Sequence, residues 1–385
     1  MSFAALLDNE TELTHNIGAQ QPIVLSTRVR LARNLARFPF PGRAKPEQRR
    51  EITRLCREAL EALPKMKRGH TFAMGGLNEI EKLVLVERHL VSRELASGKD
   101  GSVVISRDQT CSVMINEEDH LRIQVVKGGF HLKRAWKQAD AIDSAIEGAL
   151  DFAYSPELGY LTACPTNVGT GLRASAMLHL PGLVMADQME KVVRALNQDG
   201  LAVRGWFGEG SEALGSIFQI SNQQTLGPSE ADILQSLSGW LKTIIEQEEN
   251  ARLLLLQNDP EKFFDKIARA FGTLRSARLL PSAEAMTLLS LMRLACDMGI
   301  FDENYRVMVD RLIIENQPGH IRIRADVELD ALRRDFIRAA VFRESFRQLP
   351  DPDFDIIDAG DDEDDAGDDL PGDDDDPEPD SDPGR

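Results

Sequence analysis

The sequence predicts an α+β protein: an antiparallel-sheet domain with helices, followed by an all-α C-terminal domain and a disordered acidic tail. Three observations carry this. Strand-like runs cluster between 102 and 127 and again between 201 and 221, instead of alternating strictly with helices. Beyond Pro228, apolar residues recur at helical spacing with almost no strand signal. From 351 onward Asp, Glu, Pro and Gly displace nearly every apolar residue, so the segment cannot offset its ordering entropy.

The elements follow in order. Residues 46–62, PEQRREITRLCREALEA, open with Pro and repeat apolar residues at Ile52, Leu55, Ala59 and Leu60, the pattern of an amphipathic helix. A strand is predicted at 69–74 and a helix at 78–91, capped by Asn78 with Glu81 three residues on. SVVIS, CSVMIN and LRIQVV, separated by polar turns, read as an antiparallel meander over 102–127. Residues 131–151 return to helix. A glycine-punctuated stretch, 159–171, then leads into a helix predicted at about 172–179. Another helix near 186–197 ends at Gly200, ahead of strands at 201–206 and 216–221. Helices are predicted at 230–257, 260–271, 282–299, 302–315 and 326–348, with 320–324 the one stretch that also reads as strand. The expected parts are a lead-in (1–21), the sheet domain (22–226), the helical domain (227–350) and the tail (351–385).

Charge narrows the function. The formal charge is −18, but residues 351–385 hold 18 acidic residues and one arginine, which leaves residues 1–350 at only −1. A phosphate-tracking nucleic-acid surface needs excess cation, so that class is disfavoured. No apolar run approaches the ~20 residues that span a bilayer, and Met1–Glu10 lacks a basic signal-peptide start. A soluble, cytoplasmic protein with no membrane or nucleic-acid partner is expected. Cys56, Cys111, Cys164 and Cys296 are widely spaced without a CxxC pair, which argues against a disulfide framework or a zinc ribbon.

Four segments carry chemistry. STRVRLARN (26–34) puts Arg28 and Arg30 on one face of an extended segment, either converging on an anion or solvated at an edge. NEEDHLRI (116–123) sets acids beside Arg122, to orient a cationic substrate or Mg²⁺, or simply to form a polar turn. CPTNVGTGLRASAMLHLP (164–181) lets the backbone approach a ligand at Gly169 and Gly171. Its following helix start, with Arg173 in the first turn, would offer N–H groups to a phosphate, or it is a plain loop-to-helix turn. It is not a Walker A loop, because no Gly-Lys-Ser/Thr follows. RGWFGEGSEALG (204–215) places three glycines around Glu209 and follows Arg204, as a lid over substrate or an ordinary hairpin. Five arginines, two carboxylates and a glycine-rich helix start are the equipment of phosphoryl transfer, where fixed cations stabilise charge on phosphate oxygens.

CPTNVGTGLRAS resembles the signature of the phosphagen (guanidino) kinases, and STRVRLARN, NEEDHLRI and RGWFGEGSEA resemble family segments in the same order. The resemblance spans roughly 22–225 and implies a guanidino-kinase catalytic domain. One departure matters: phosphagen kinases carry a helical domain of on the order of a hundred residues before the arginine-pair strand, whereas only 25 residues precede Ser26 here. Instead a helical domain follows, containing RDFIRA at 334–339, an arrangement similar to the family's bacterial branch of protein arginine kinases. A pocket with one wall removed suits a polypeptide-borne guanidinium.

The resemblance implies ATP and Mg²⁺ as cofactors. Arg28, Arg30, Arg122, Arg173 and Arg204 would bind the ATP phosphates. The nucleotide site would comprise His89 with three stretches: Ser26, Thr27, Arg28, Val29 and Arg30; Arg173, Ala174, Ser175, Ala176 and Met177; Arg204, Gly205, Trp206, Phe207, Gly208 and Glu209. Glu118 would align the target guanidinium and act as base, Glu209 would partner it, and Cys164 would sit beside it as a low-pKa thiol. Arginine's pKa above ~12 makes the protonated guanidinium a poor nucleophile, hence the need for carboxylates that fix it and take its proton. Arg334, Asp335, Phe336, Ile337, Arg338 and Ala339 would bind phosphoarginine. The implied partners are protein substrates with exposed arginines, phosphoarginine proteins, a Clp-type ATPase and an activator protein, with a homodimer or larger assembly. A small-molecule arginine kinase and a silent phosphoarginine-binding adaptor are the competing readings.

Overall fold

The structure, a computed structural model, describes residues 3–7, 11, 22–205, 214–325 and 329–355. Its first half contains α1 (Phe3–Leu7), β1 (Val24–Arg33), α2 (Pro46–Glu61), β2 (His70–Ala73), α3 (Glu79–Glu87), α4 (Arg93–Ser97), β3 (Ser102–Ile105), β4 (Cys111–Ile115), β5 (Leu121–Gly128) and α5 (Leu132–Glu147). There follow β6 (Tyr154–Ser155), β7 (Gly159–Tyr160), β8 (Leu172–His179), α6 (Pro181–Met185), α7 (Met189–Gln198), β9 (Leu201–Arg204) and β10 (Ile217–Asn222). The remainder is helical: α8 (Glu230–Asn258), α9 (Pro260–Ser276), α10 (Ser282–Asp297), α11 (Tyr305–Glu315), α12 (Pro318–Ala325) and α13 (Ala331–Arg347).

Eight strands form one sheet in the order β2-β3-β4-β5-β1-β8-β10-β9, antiparallel at every pairing. The meander over 102–127 is present as β3, β4 and β5, and Asn78 caps α3 with the reciprocal Glu81 bond. Period-two alternation gives the sheet two unlike faces. Val29, Leu31, Ile123, Val125, Ala174, Ala176 and Ile220 lie in a core shared with α2, α5 and α8, while Arg28 and Arg30 point the other way. That other face is covered near β2, β3 and β4 by α3 and α4, through Phe72, Val103, Met114, Leu85 and Leu95.

Two expectations are corrected. The helix expected at 172–179 is strand β8, hydrogen-bonded to β1 on one side and β10 on the other. Leu, Arg, Ala and Met are helix formers, but two open strand edges outweigh local propensity. The strand-like stretch 320–324 lies in helix α12, which starts at Pro318. Pro at the first helical position is pre-set for that start.

The expected boundary near 226 falls ahead of α8, whose buried face, from Ile233 to Ala251, belongs to the core of the sheet. A second core, centred on α9, α10, α11 and α13, begins at Phe263 and reaches the sheet at Leu25, Met177 and Ile217. Buried polar contacts join the two. Arg293 is fully buried, pairs with Asp310 (2.8 Å) and Asp297 (3.1 Å), and donates to the Pro22 carbonyl at 2.7 Å. His179, at the end of β8, meets Ser290 Oγ at 2.7 Å. Burial and the neighbouring Arg293 and Arg252 push its pKa far down, so it is a neutral structural imidazole.

Candidate active site

Strand register brings the sequence-predicted arginines together. Residues directly opposite one another in an antiparallel pair share a face. Arg30 stands opposite Arg173 on β8, and Ala32 opposite Arg122 on β5. Arg28 stands opposite Ser175, Ser175 opposite Ser221, and Arg204 opposite Gln219, two residues before Ser221. Arg28, Arg30, Arg122, Arg173 and Arg204 therefore occupy one face across five adjacent strands. They line a cleft of about 980 Å³, together with His89, Glu117, Glu118 and Cys164.

Like charges this close disfavour one another. Burial, reinforced by Arg173, Arg122 and Arg204, brings the Arg28 guanidinium down to about 10. Burial, then Arg28, Arg122 and Arg173, hold Arg30 well below the usual guanidinium range, and Glu117 partly offsets them. Arg28 donates to Gln219 Oε1 at 2.6 Å, whereas Arg30 Nε has no hydrogen-bond partner among the described residues. Burial and Arg28 hold His89 at about 3, so it faces the cleft as a neutral ring. A floor of this kind calls for a polyanion.

The acidic wall comes from the turn between β4 and β5. Asn116 takes a left-handed φ of 57°, which Asn tolerates well, and the chain then sorts three consecutive acids. Glu117 points inward, its side chain 2% exposed, 2.7 Å from Arg122 NH1. Glu118 points outward, 43% exposed, and accepts from Arg122 NH2 at 2.9 Å. Asp119 is buried and accepts from Asn34 Nδ2 (2.6 Å) and the Ala163 N–H (2.7 Å). It thus ties the end of β1 to the loop that carries Cys164. The Cys164 thiol is half-buried, 3.0 Å from Thr166 Oγ1. Gly169 (φ 110°) closes that loop: a Cβ there would lie 2.2 Å from the Thr225 carbonyl oxygen.

Not every expected residue reaches the cleft. Val29, Ala174 and Ala176 face the helix-covered core, and Thr27, on their side of the sheet, accepts the His131 N–H at 3.2 Å. Ser26 and Ser175 are buried, and Met177 packs in the second core. Gly205 is a buried bridge residue at the end of β9, while Trp206, Phe207, Gly208 and Glu209 lie outside the described residues. Glu117 and Gln219 are lining residues that sequence reasoning missed. Alternation on β10 would have found Gln219, whereas nothing local separates Glu117 from its acidic neighbours.

The RDFIRA segment lies on α13. Arg338 is 1% exposed and donates to Asp335 (2.7 Å) and to the carbonyls of Leu280 (2.8 Å) and Asn316 (3.1 Å). Arg334 is half-buried and donates to the Leu329 carbonyl at 2.8 Å. Phe336 is exposed, Ile337 half-buried and Ala339 buried. Arg334 and Arg338 are thus unlike, one half-buried and one engaged in the core.

The cleft's donor set suits a nucleoside triphosphate: crowded cations, a donor to spare and a neutral ring beside them. Among the described residues no group of three or more His, Cys, Asp or Glu converges. Of the carboxylates lining the cleft, Glu117 and Glu118 both pair with Arg122. Mg²⁺ fits as an ion brought on phosphate oxygens, its usual mode, without a protein cage.

The comparisons agree in two blocks. Residues 51–251 match the family model described as ATP:guanido phosphotransferase, C-terminal catalytic domain, and residues 260–356 match the Protein-arginine kinase McsB C-terminal domain. A protein-arginine kinase of Brevibacillus brevis is 46% identical over 333 residues, covering 86% of this chain and 93% of that protein. One from Moorella thermoacetica is 43% identical over 342 residues, covering 88% and 98%. Among solved structures, a lombricine kinase aligns at TM-score 0.54 and 27% identity, over 63% of this chain and 71% of that one. The duplicated taurocyamine kinase of Schistosoma mansoni, at 22% identity and TM-score 0.53, covers 84% and 51% and shares the fold.

Proposed function

Since the chain belongs to the ATP:guanido phosphotransferase family, alongside the protein-arginine kinases, we propose that it transfers phosphate from ATP to arginine side chains of proteins. The observation that carries this is the single sheet face on which five arginines meet an acidic wall, one of whose carboxylates is exposed at the cleft mouth.

In this reading Arg28, Arg30, Arg122, Arg173 and Arg204 hold the triphosphate, with His89 beside them. ATP supplies the phosphoryl group, and Mg²⁺ carried on its phosphates neutralises part of their charge. Fixed cations cost no reorganisation as charge develops on the transferring group. Glu118 receives the target guanidinium at the mouth, orients the planar group by paired hydrogen bonds and takes its proton at a carboxylate oxygen. Glu117 keeps Arg122 aimed at the phosphates. Glu209 is the expected second carboxylate and Cys164 a thiol at the guanidinium end of the cleft.

The proposal extends to phosphoarginine binding at 334–339. Arg334 and Asp335 form the accessible edge there, and Arg338 braces Asp335 from the core. It also takes in protein substrates with exposed arginines, hand-over to a Clp-type ATPase, an activator protein, a homodimer or larger assembly and a cytoplasmic setting.

Incubation with ATP and Mg²⁺, offering an arginine-rich protein or free arginine, tests the central claim. Acid-labile phosphate on protein arginines is the expected result. Transfer to free arginine alone would mean a small-molecule kinase, and phosphoarginine-peptide binding without any transfer would mean an adaptor.

A further inference from the structure

Every residue lining the cleft lies between Arg28 and Gln219, yet the helical domain touches the cleft's wall from outside through one buried carboxylate. Glu87, the last residue of α3, is 2% exposed and lines no part of the cleft. It accepts the Gly319 N–H at 2.7 Å, the His320 N–H at 3.1 Å and His320 Nδ1–H at 2.8 Å, all from the first turn of α12. A carboxylate there satisfies otherwise orphaned donors and sits at the positive end of the helix dipole. Arg88 Nε donates to His320 Nε2 at 3.2 Å, so the imidazole is gripped at both nitrogens. The approach depends on glycine, because a Cβ on Gly319 would lie 2.8 Å from Glu87 Oε2 and 3.0 Å from Leu83 Cγ.

The chain lines the cleft on both sides of Glu87, at Val86 and at His89. His89 adopts a left-handed φ of 56°, uncommon outside glycine and held only where the surroundings over-determine it. Its carbonyl accepts from Gln124 Nε2 at 2.7 Å, and Gln124 stands opposite Arg30 in the sheet. Three residues further, Ser92 Oγ donates to Glu117, the acid that pairs with Arg122. Segment 87–92 is therefore fastened to the helical domain at one end and to the phosphate-facing groups at the other.

Resting on the nucleotide assignment above, we propose that Glu87 is a positioning residue, through which α12 fixes His89 and the Glu117–Arg122 pair in their nucleotide-binding arrangement. The helical domain thereby tunes nucleotide affinity without contributing a group to the cleft.

The test uses full-length Glu87→Gln and Gly319→Ala, which attack the contact from opposite sides. Each should raise the KM for ATP by roughly threefold to thirtyfold, the range typical of coupled networks. The KM for the protein substrate should change less. The double variant should fall short of the product of the two effects, since both break one contact. Phe346→Leu, in the helical-domain core, serves as a control of matched thermal stability with an unchanged KM. Amide exchange over 88–92 should accelerate in both test variants. If Glu87→Gln fails to fold, Gly319→Ala decides alone, because it leaves the carboxylate in place. An unchanged ATP KM in a folded variant overturns the positioning role, whereas a wild-type protein that phosphorylates nothing overturns the kinase reading instead.

Discussion

Replacing Arg28 by Gln should stabilise the ligand-free protein and at the same time remove most of its stabilisation by ATP. The guanidinium stands at about 10, lowered by burial and then by Arg173, Arg122 and Arg204. A cation whose folded pKa lies below its unfolded one opposes folding wherever it is charged in both states, which here means at all pH below about 10. Between that value and the unfolded one the unfolded chain holds more protons, so stability rises with pH through that window. A fall of this size is worth about 3 kcal/mol at most. Solvent screening in a half-open cleft removes about half of that, about 1.5 kcal/mol. Losing the 2.6 Å bond to Gln219 then costs roughly 0.5–1 kcal/mol. A net gain of about 0.5–1 kcal/mol remains, or a rise in Tm of about 1–4 °C. Thermal unfolding at low salt, with and without ATP, reads both effects, and added salt should shrink the difference. A ligand-free Arg28→Gln protein that melts below wild type at low salt would refute the repulsion argument.

Four further substitutions have distinct expected outcomes. Glu118→Gln should lower kcat by about a hundredfold or more with little change in ATP KM, while Glu117→Gln, which removes the charge opposing Arg30, should lower Tm at low salt; steady-state kinetics and melting curves separate the two acids. Gly169→Ala must seat a Cβ 2.2 Å from the Thr225 carbonyl at a φ of 110°, so it should cost about 1–3 kcal/mol in urea unfolding and perturb the Cys164 loop. Asp335→Ala should abolish binding of a phosphoarginine peptide in titration calorimetry and also destabilise the helical domain, because Arg338 would lose its ionic partner in the core.

What could be read from the sequence, and what could not, divides along one physical line. The arginine pair on β1, the meander and the Asn78 cap were legible because each rests on alternation or on capping partners within a few residues. The cleft floor then followed from register, once strands were in place. Strand β8 was misread because its own residues favour helix, and only its pairing with β1 and β10 overrides them. α12, where 320–324 also reads as strand, leans on a distant partner as well: the carboxylate that satisfies its first turn is Glu87, more than two hundred residues away in the chain. Glu117 was missed because its inward aim is set by the turn at Asn116 and by Ser92 and Arg122, not by its acidic neighbours. The unreadable features therefore share one cause, which is that their partners arrive from distant segments. Two such contacts meet on one segment, 87–92: Glu87 binds α12 at its start, and Ser92 binds Glu117 at its end. Where long-range contacts concentrate on one short segment, the helical domain and the nucleotide floor share a mechanical element, and a substitution at either end should be felt at the other.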